Sequence, residues 1–380
     1  MTEATMERIE SQDSEIRNVL GARFRSNAEF ELVAFERLTR EQQQRWKDLA
    51  RDPELFGLLM PREGTVWRAK SACRDTALLF YALQTAGLLP GFALQGEREE
   101  VNRGVAQLVL DGILEMECGG NWVTGPGAVA HVLRARDTVK TQCALAALSA
   151  EALAYGASLR SLDAGRVSAR MYFYNRLPLT PYWRALFPDG EAVKRELRVP
   201  AGWEELPVDA QNDGWISWRR REARLPASAA RTYKVYFSPR PEALRESFGG
   251  FLAAITRCGC WNFKTGRNAA GLLRPDKAVA YFVSREQALE AAERADASLA
   301  GCAAQGVPFS APVGESLLVS WGSDPAAEEW EARESWRLWV TNRLAVHLKA
   351  AEAAGEEDGR RFALERMRLE RVDTVTWAAL

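Results

Sequence analysis

Histidine is nearly absent from this chain: its 380 residues contain only His131 and His347. Chemistry that needs a histidine cluster is therefore close to excluded, and each histidine reads first as packing or surface. Charge of one sign is also lacking, with 50 Lys and Arg against 51 Asp and Glu. A general nucleic-acid binder carries a basic surplus, so only a local basic patch could serve that role here. Cysteine is sparse and scattered, at Cys73, Cys118, Cys143, Cys258, Cys260 and Cys302. That spacing is unlike a disulfide framework. Only Cys258 and Cys260 stand close, whereas a metal site needs about four converging ligands. Reduced thiols, no metal and no cofactor are the expectation. No apolar run approaches the roughly 18 residues of a membrane span. The start, Met1-Thr2-Glu3-Ala4, lacks a basic segment followed by an apolar one. A cytoplasmic protein without a membrane partner is expected. Finally, the nucleophile elbow, the P-loop, the His-Glu-x-x-His zinc motif and the dinucleotide fingerprint are all missing.

What is present is an ordinary globular composition, 47 % hydrophobic and 27 % charged. At roughly 100–200 residues per domain, the length predicts two or three domains. Pattern divides the chain into a polar arm (1–30), a first domain (31–130), a helical connector (131–165), a mixed domain (166–325) and C-terminal helices (326–380). The fold class expected is α+β.

In the first domain, residues 38–50 read as a helix, with Thr39 as N-cap before Arg40-Glu41-Gln42, and Pro53 and Gly57 bound a short turn after it. Thr65-Val66-Trp67 reads as a strand, and Arg74 to Gln84 as an apolar helix. Glu99 to Asp111 forms a second helix, with Val101, Val105, Leu108 and Val109 at helical spacing. Residues 113–117 and Trp122-Val123, joined by Gly119-Gly120, form a hairpin. Helix, helix, hairpin is the order of a winged helix. Its second helix opens with Glu97, Glu99 and Glu100, where DNA readers place basic and amide groups. Peptide binding, by strand addition or in a helix groove, suits that charge better than DNA.

In the mixed domain, Met171-Tyr172-Phe173-Tyr174 reads as a strand, and the Trp- and Pro-rich stretch after it as short strands and loops. Then come a strand (233–237), a helix (242–256), strands at Phe263-Lys264 and 278–283, and a helix (285–299) with Ser284 as N-cap. Between the last two strands, Lys264, Arg267, Arg274 and Lys277 fall within fourteen residues, shaped by Gly266, Gly271 and Pro275. Such a loop can approach a phosphate closely. The plain alternative is a solvated basic loop. Lys264 directly follows Phe263 at a strand end, and a lysine held among apolar groups has a lowered pKa and can act as a base. After Pro325, Trp336, Trp339, Val340, Leu344 and Leu348 share a face of a long helix over 328–354. It and a second helix over 360–371 are expected to dock on the preceding domain.

The run Tyr233-Lys-Val-Tyr-Phe237, Phe263-Lys264 and Arg274-Pro-Asp-Lys277-Ala-Val-Ala-Tyr281-Phe282 resembles the HopA-type effector domain over roughly residues 230–325. Similar domains act as lyases in class V lanthipeptide and thioamitide assembly, removing phosphate from phosphoserine or phosphothreonine to leave a dehydroamino acid. Residues 65–125 resemble the winged-helix leader-peptide recognition element of such peptide natural-product (RiPP) pathways. The resemblance implies Lys264 as the base and Asp276 as the acidic residue that orients a cation or an amide. Arg267, Arg274 and Lys277, with Tyr281, would bind the substrate. It implies a precursor peptide as partner, with a kinase or other modifying enzyme beside it. Related phosphothreonine lyases use a histidine as general acid, and no histidine lies in this stretch. Phosphate departure would then rest on cations alone. Two other readings stay open: a non-catalytic peptide-binding partner of a separate enzyme, and a winged-helix DNA-binding regulator.

Overall fold

A computed structural model of the chain describes residues 16–65, 67–134, 143–207, 214–221, 231–325, 334–356 and 358–379. They form a mixed α+β structure.

The N-terminal part holds strands β1 (Phe24–Ser26), β2 (Phe30–Ala34), β3 (Leu55–Pro61) and β4 (Lys70–Cys73). Helices α1 (Arg74–Ala82) and α2 (Arg98–Leu110) follow. Strands β5 (Leu114–Cys118) and β6 (Asn121–Val123) close it. β2, β3 and β4 pair in one antiparallel sheet, and β1, β5 and β6 in another. The β5–β6 turn forms at Gly119 and Gly120 because both take positive φ, 58° and 84°, which suits a tight hairpin turn.

Four local expectations are corrected here. Residues 16–30 are not a polar arm from residue 16 onward: Ile16, Val19, Phe24 and Phe30 are core. Residues 1–15 lie outside the described residues. Gly57 marks no turn but sits inside β3, where an added Cβ would lie 2.1 Å from the Val33 carbonyl oxygen. Glycine is there for close backbone approach to β2. The strand expected at 65–67 is not formed at Thr65 or Trp67, while Val66 lies outside the described residues; the strand is β4. The helix expected over 38–50 is shorter, Arg40–Arg45, with Thr39 and Gln42 forming a reciprocal capping box.

Helix α3 (Ala144–Ser158) leads to α4 (Ala164–Tyr172). The 171–174 run is therefore not a strand. Its aromatic content favours strands only weakly, and Asp163 caps a helix whose Val167, Ser168 and Met171 share one buried face.

The central feature is a seven-stranded antiparallel sheet, ordered β12-β13-β9-β11-β10-β8-β7. Its strands are β7 (Trp203–Glu205), β8 (Trp215–Arg220), β9 (Tyr233–Phe237), β10 (Asn262–Gly266), β11 (Ala278–Phe282), β12 (Ala311–Pro312) and β13 (Val319–Ser323). Helices α5 (Leu244–Arg257) and α6 (Arg285–Ser298) cover one face. Alternation decides which side chains lie beneath them. Val235, Phe237, Phe263, Ala280 and Phe282 join Phe248, Phe251 and Ile255 in one core. Each fully buried Phe contributes about 2–3 kcal/mol by area.

The last helices, α7 (Trp336–Ala353) and α8 (Gly359–Leu369), pack with α3 and α4 in a further core. They do more than dock on the sheet domain. Ala351, Phe362 and Leu369 also enter the N-terminal core, and an added Cβ at Gly322 of β13 would meet the Trp336 ring at 2.9 Å. The terminal helices thus tie both ends of the molecule together.

Candidate active site on the sheet face

Every second residue of the central strands points away from α5 and α6. The register lines up Ser217, Lys264, Val279, Tyr236 and Ser320 across the sheet. The neighbouring row is Arg219, Asn262, Tyr281, Lys234 and Gly322. This second face is aromatic and cationic, and Tyr172 of α4 and Arg337 of α7 reach towards it.

Lys264 lies near the middle. Its Nζ stands 4.3 Å from the Trp215 ring centroid and 5.8 Å from that of Tyr281. Burial lowers its pKa to about 8, with the nearby Lys234 adding to the effect. Lys234 is itself buried and ion-paired with Asp324.

Asp276 anchors the rest. Its carboxylate accepts from Arg274 Nε and Nη2, both at 2.9 Å, and from the Tyr172 hydroxyl at 3.1 Å. Arg337 Nη1 stands 2.9 Å away. Burial alone would raise the Asp276 pKa, but the Arg337 and Arg274 guanidiniums outweigh it and hold the carboxyl well below its usual range. Arg274 also lies 4.7 Å from the centroid of the Trp215 ring that Lys264 contacts. One indole therefore carries two cations. The Tyr236 and Tyr281 phenols are pushed well above their usual pKa by burial and stay protonated. The Tyr236 hydroxyl is buried and has no hydrogen-bond partner among the described residues.

Of the residues singled out from sequence, Lys264, Arg274, Asp276 and Tyr281 come together on this face. Lys277 does not: it is 0 % exposed, and its Nζ donates to the Pro239 carbonyl at 2.7 Å and to Gln305 Oε1 at 2.5 Å. Buried and bonded to those two acceptors, it offers no exposed ammonium to a phosphate. Burial lowers its pKa to about 7. Arg267 is also set apart. It follows the end of β10, with its Cγ beside Gly190 and Ile216, on the helix-covered side of the sheet. The four cations of the 264–277 stretch are thus not one solvated loop.

Lys234, Tyr236, Tyr172, Trp215, Asp324 and Arg337 were not singled out. The signal for the first two was available: Lys-Val-Tyr-Phe alternates, so Lys234 and Tyr236 share a face opposite Val235 and Phe237. Arg337, 1 % exposed within a largely apolar helix face, carried no comparable signal. Among the described residues, no group of three or more His, Cys, Asp or Glu could hold a metal ion. No described helix is long and apolar enough to cross a membrane.

No protein-family model and no curated protein matches the chain. Among solved structures, two effector proteins of Pseudomonas syringae, from pathovars tomato and syringae, align with 62 % of this chain and 98 % of theirs. Their TM-scores are both 0.40, at 10 % and 12 % identity. The type III effector and phosphothreonine lyase OspF of Shigella flexneri aligns with 32 % of this chain and 70 % of its own, with TM-score 0.26 and 15 % identity. The similarity is weak, and overlaps this loose do not define a family for the chain.

Proposed function

We propose that the chain eliminates phosphate from phosphoserine or phosphothreonine in a precursor peptide, leaving a dehydroamino acid. The observation that carries this reading is Lys264, a lysine with a pKa of about 8 on a cationic sheet face. It is the base by comparison with its neighbours. Asp276 is ionised but pinned between two guanidiniums, and the Tyr236 and Tyr281 phenols are held protonated. Lys264 Nζ takes the Cα proton, the Cα–Cβ double bond forms, and the Cβ–O bond breaks with its electron pair going to phosphate. Around Lys264, the described residues Lys234, Arg274 and Arg337 stand against Asp276 and Asp324, and Arg219 of the same face is balanced by Glu204, so this cluster stays net positive when Lys264 is neutral. That surplus would stabilise the departing phosphate. Asp276 acts as a positioning residue that fixes the Arg274 fork.

The N-terminal part would recognise the leader of the peptide as a winged helix, with β1 added to the β5–β6 hairpin. Supporting this, Leu78 and Tyr81 of α1 and Leu88 beyond it are exposed by 52 %, 48 % and 65 %. Apolar side chains this open suit an apolar peptide segment. A kinase acting on the same peptide would supply the phosphate ester.

One observation favours the alternative of a non-catalytic peptide-binding partner: Lys234, Arg274 and Arg337 already hold carboxylates, while Lys264 has none among the described residues. Incubating the protein with its phosphorylated peptide and following loss of phosphoric acid by mass spectrometry separates the two. Loss that depends on Lys264 supports the lyase; stable binding of an unchanged phosphopeptide supports the partner protein.

A further inference from the structure

A second site lies far from the sheet face. Where the N-terminal part meets α7 and α8, a cavity of about 400 Å³ opens, a size typical of small-molecule sites. Its wall is strongly cationic. Arg68, Lys70, Arg160, Lys349 and Arg366 line it against the carboxylates of Asp111 and Glu352. Lys349 is committed, donating to the Arg160 carbonyl at 2.7 Å and pairing with Glu352 at 2.6 Å. Lys70 reaches Asp111 only at 4.0 Å.

Arg366 stands behind that wall. Its side chain is only 5 % exposed, and Nη2 donates to Asp111 at 2.6 Å. Its Nε and Nη1 are closed off from solvent, so it adds charge rather than direct contacts. A cavity whose wall carries a surplus of three positive charges, with the guanidiniums of Arg68 and Arg160 in its lining, suits phosphate oxygens. A single carboxylate would leave much of that charge unanswered. The volume exceeds one phosphate, and Trp67 and Val346 add apolar wall for an organic part.

We propose that this cleft binds the phosphate groups of a small organic diphosphate, held by Lys70 and Arg160, with Arg366 adding charge behind them. The ligand bridges the N-terminal part to the C-terminal helices, so binding also raises the thermal stability of the whole chain. None of this depends on the sheet-face reaction.

Calorimetry on the full chain tests it, with pyrophosphate and ADP as probes. Saturable binding of one probe molecule per chain is expected, together with a rise in melting temperature. Preference for ADP would identify a nucleotide as the source of the phosphates, and preference for pyrophosphate a free one. Lys70→Gln and Arg160→Gln, both away from the packed core, are each expected to weaken binding about tenfold or more. Lys264→Ala is expected to leave it unchanged. The proposal is overturned if neither probe binds saturably at millimolar concentration. It is also overturned if both glutamine variants bind like the parent, or if Lys264→Ala abolishes binding and so assigns the anion to the sheet face.

Discussion

Replacing Lys264 by methionine keeps most of the apolar stem against Trp215 and Tyr281 and removes only the charge. Lys264 ionises at about 8 rather than at the usual 10.5, chiefly through burial and secondly through Lys234. At about 1.4 kcal/mol per pH unit, that difference sets a ceiling of about 3 kcal/mol on the cost of holding the ammonium there. Partial exposure and solvent screening reduce the usable figure to about 1 kcal/mol. Lys264→Met should therefore be more stable than the parent at pH 7 by about that amount, while losing elimination altogether. The sign with pH follows from proton counting. Between about 8 and 10.5, the unfolded chain keeps a proton on Lys264 that the folded chain has shed. Parental stability thus rises with pH across that window, and the variant lacks this rise. Lys277 shifts in the same direction in both proteins and cancels from the difference. Urea unfolding of both proteins at several pH values measures the effect. The elimination rate of the parent should climb about tenfold per pH unit below 8 and then level off, as the neutral amine accumulates. A variant less stable than the parent at pH 7, or a parental rate independent of pH below 8, would refute the assignment of Lys264 as a strained base.

Asp276→Asn should destabilise the chain by about 3–5 kcal/mol, because Arg274 and Arg337 stay buried without their counter-charge; thermal unfolding measures it. In the parent, the stability Asp276 contributes is present above the usual carboxyl range and is lost as acid protonates it. Lys277→Met should cost about 1–3 kcal/mol through the orphaned Pro239 and Gln305 acceptors, yet leave the ratio of affinities for phosphorylated and unphosphorylated peptide unchanged in calorimetry. Leu78→Asp and Tyr81→Asp should weaken binding of the unmodified precursor peptide about tenfold, with the melting temperature preserved, since both side chains are half exposed.

The three strands at the sheet's middle were legible as short runs rich in strand-forming residues, though their order in the sheet was not. The helices α5 and α6 were legible from local sequence as well, with Ser284 as a true N-cap. What could not be read is what depends on distant chain. β8 joins the sheet by pairing with β10 across more than forty residues, and β13 pairs with β9 from beyond α6. The site suffers most from this. Lys264 and Asp276 stand close in sequence, but Arg337 and Tyr172 complete the Asp276 cluster from helices on either side of the sheet domain in sequence. Lys277 shows the reverse failure. Its charge suggested solvent or phosphate, whereas the fold uses it as a buried donor to two acceptors.

The scarcity of histidine bears on the chemistry in a specific way. A Cα proton next to a peptide carbonyl is weakly acidic, so the base must be strong as well as neutral. Burial lowers the pKa of a histidine below its usual value, as it does at His347, and so weakens it as a base. The same burial acts on lysine from a higher start. At a pKa of about 8, Lys264 is roughly a quarter neutral at pH 7.5 and remains a stronger base than any imidazole in that environment. The sheet face supplies both conditions with one arrangement. Trp215 and Tyr281 flank the Nζ and burial disfavours its charge, as do Lys234 and Arg274. Those same cations are what a leaving phosphate needs. Asp276 and Asp324 act to raise the Lys264 pKa, but burial and Lys234 outweigh them, and each carboxylate is itself tied to other cations, Asp276 to Arg274 and Arg337 and Asp324 to Lys234.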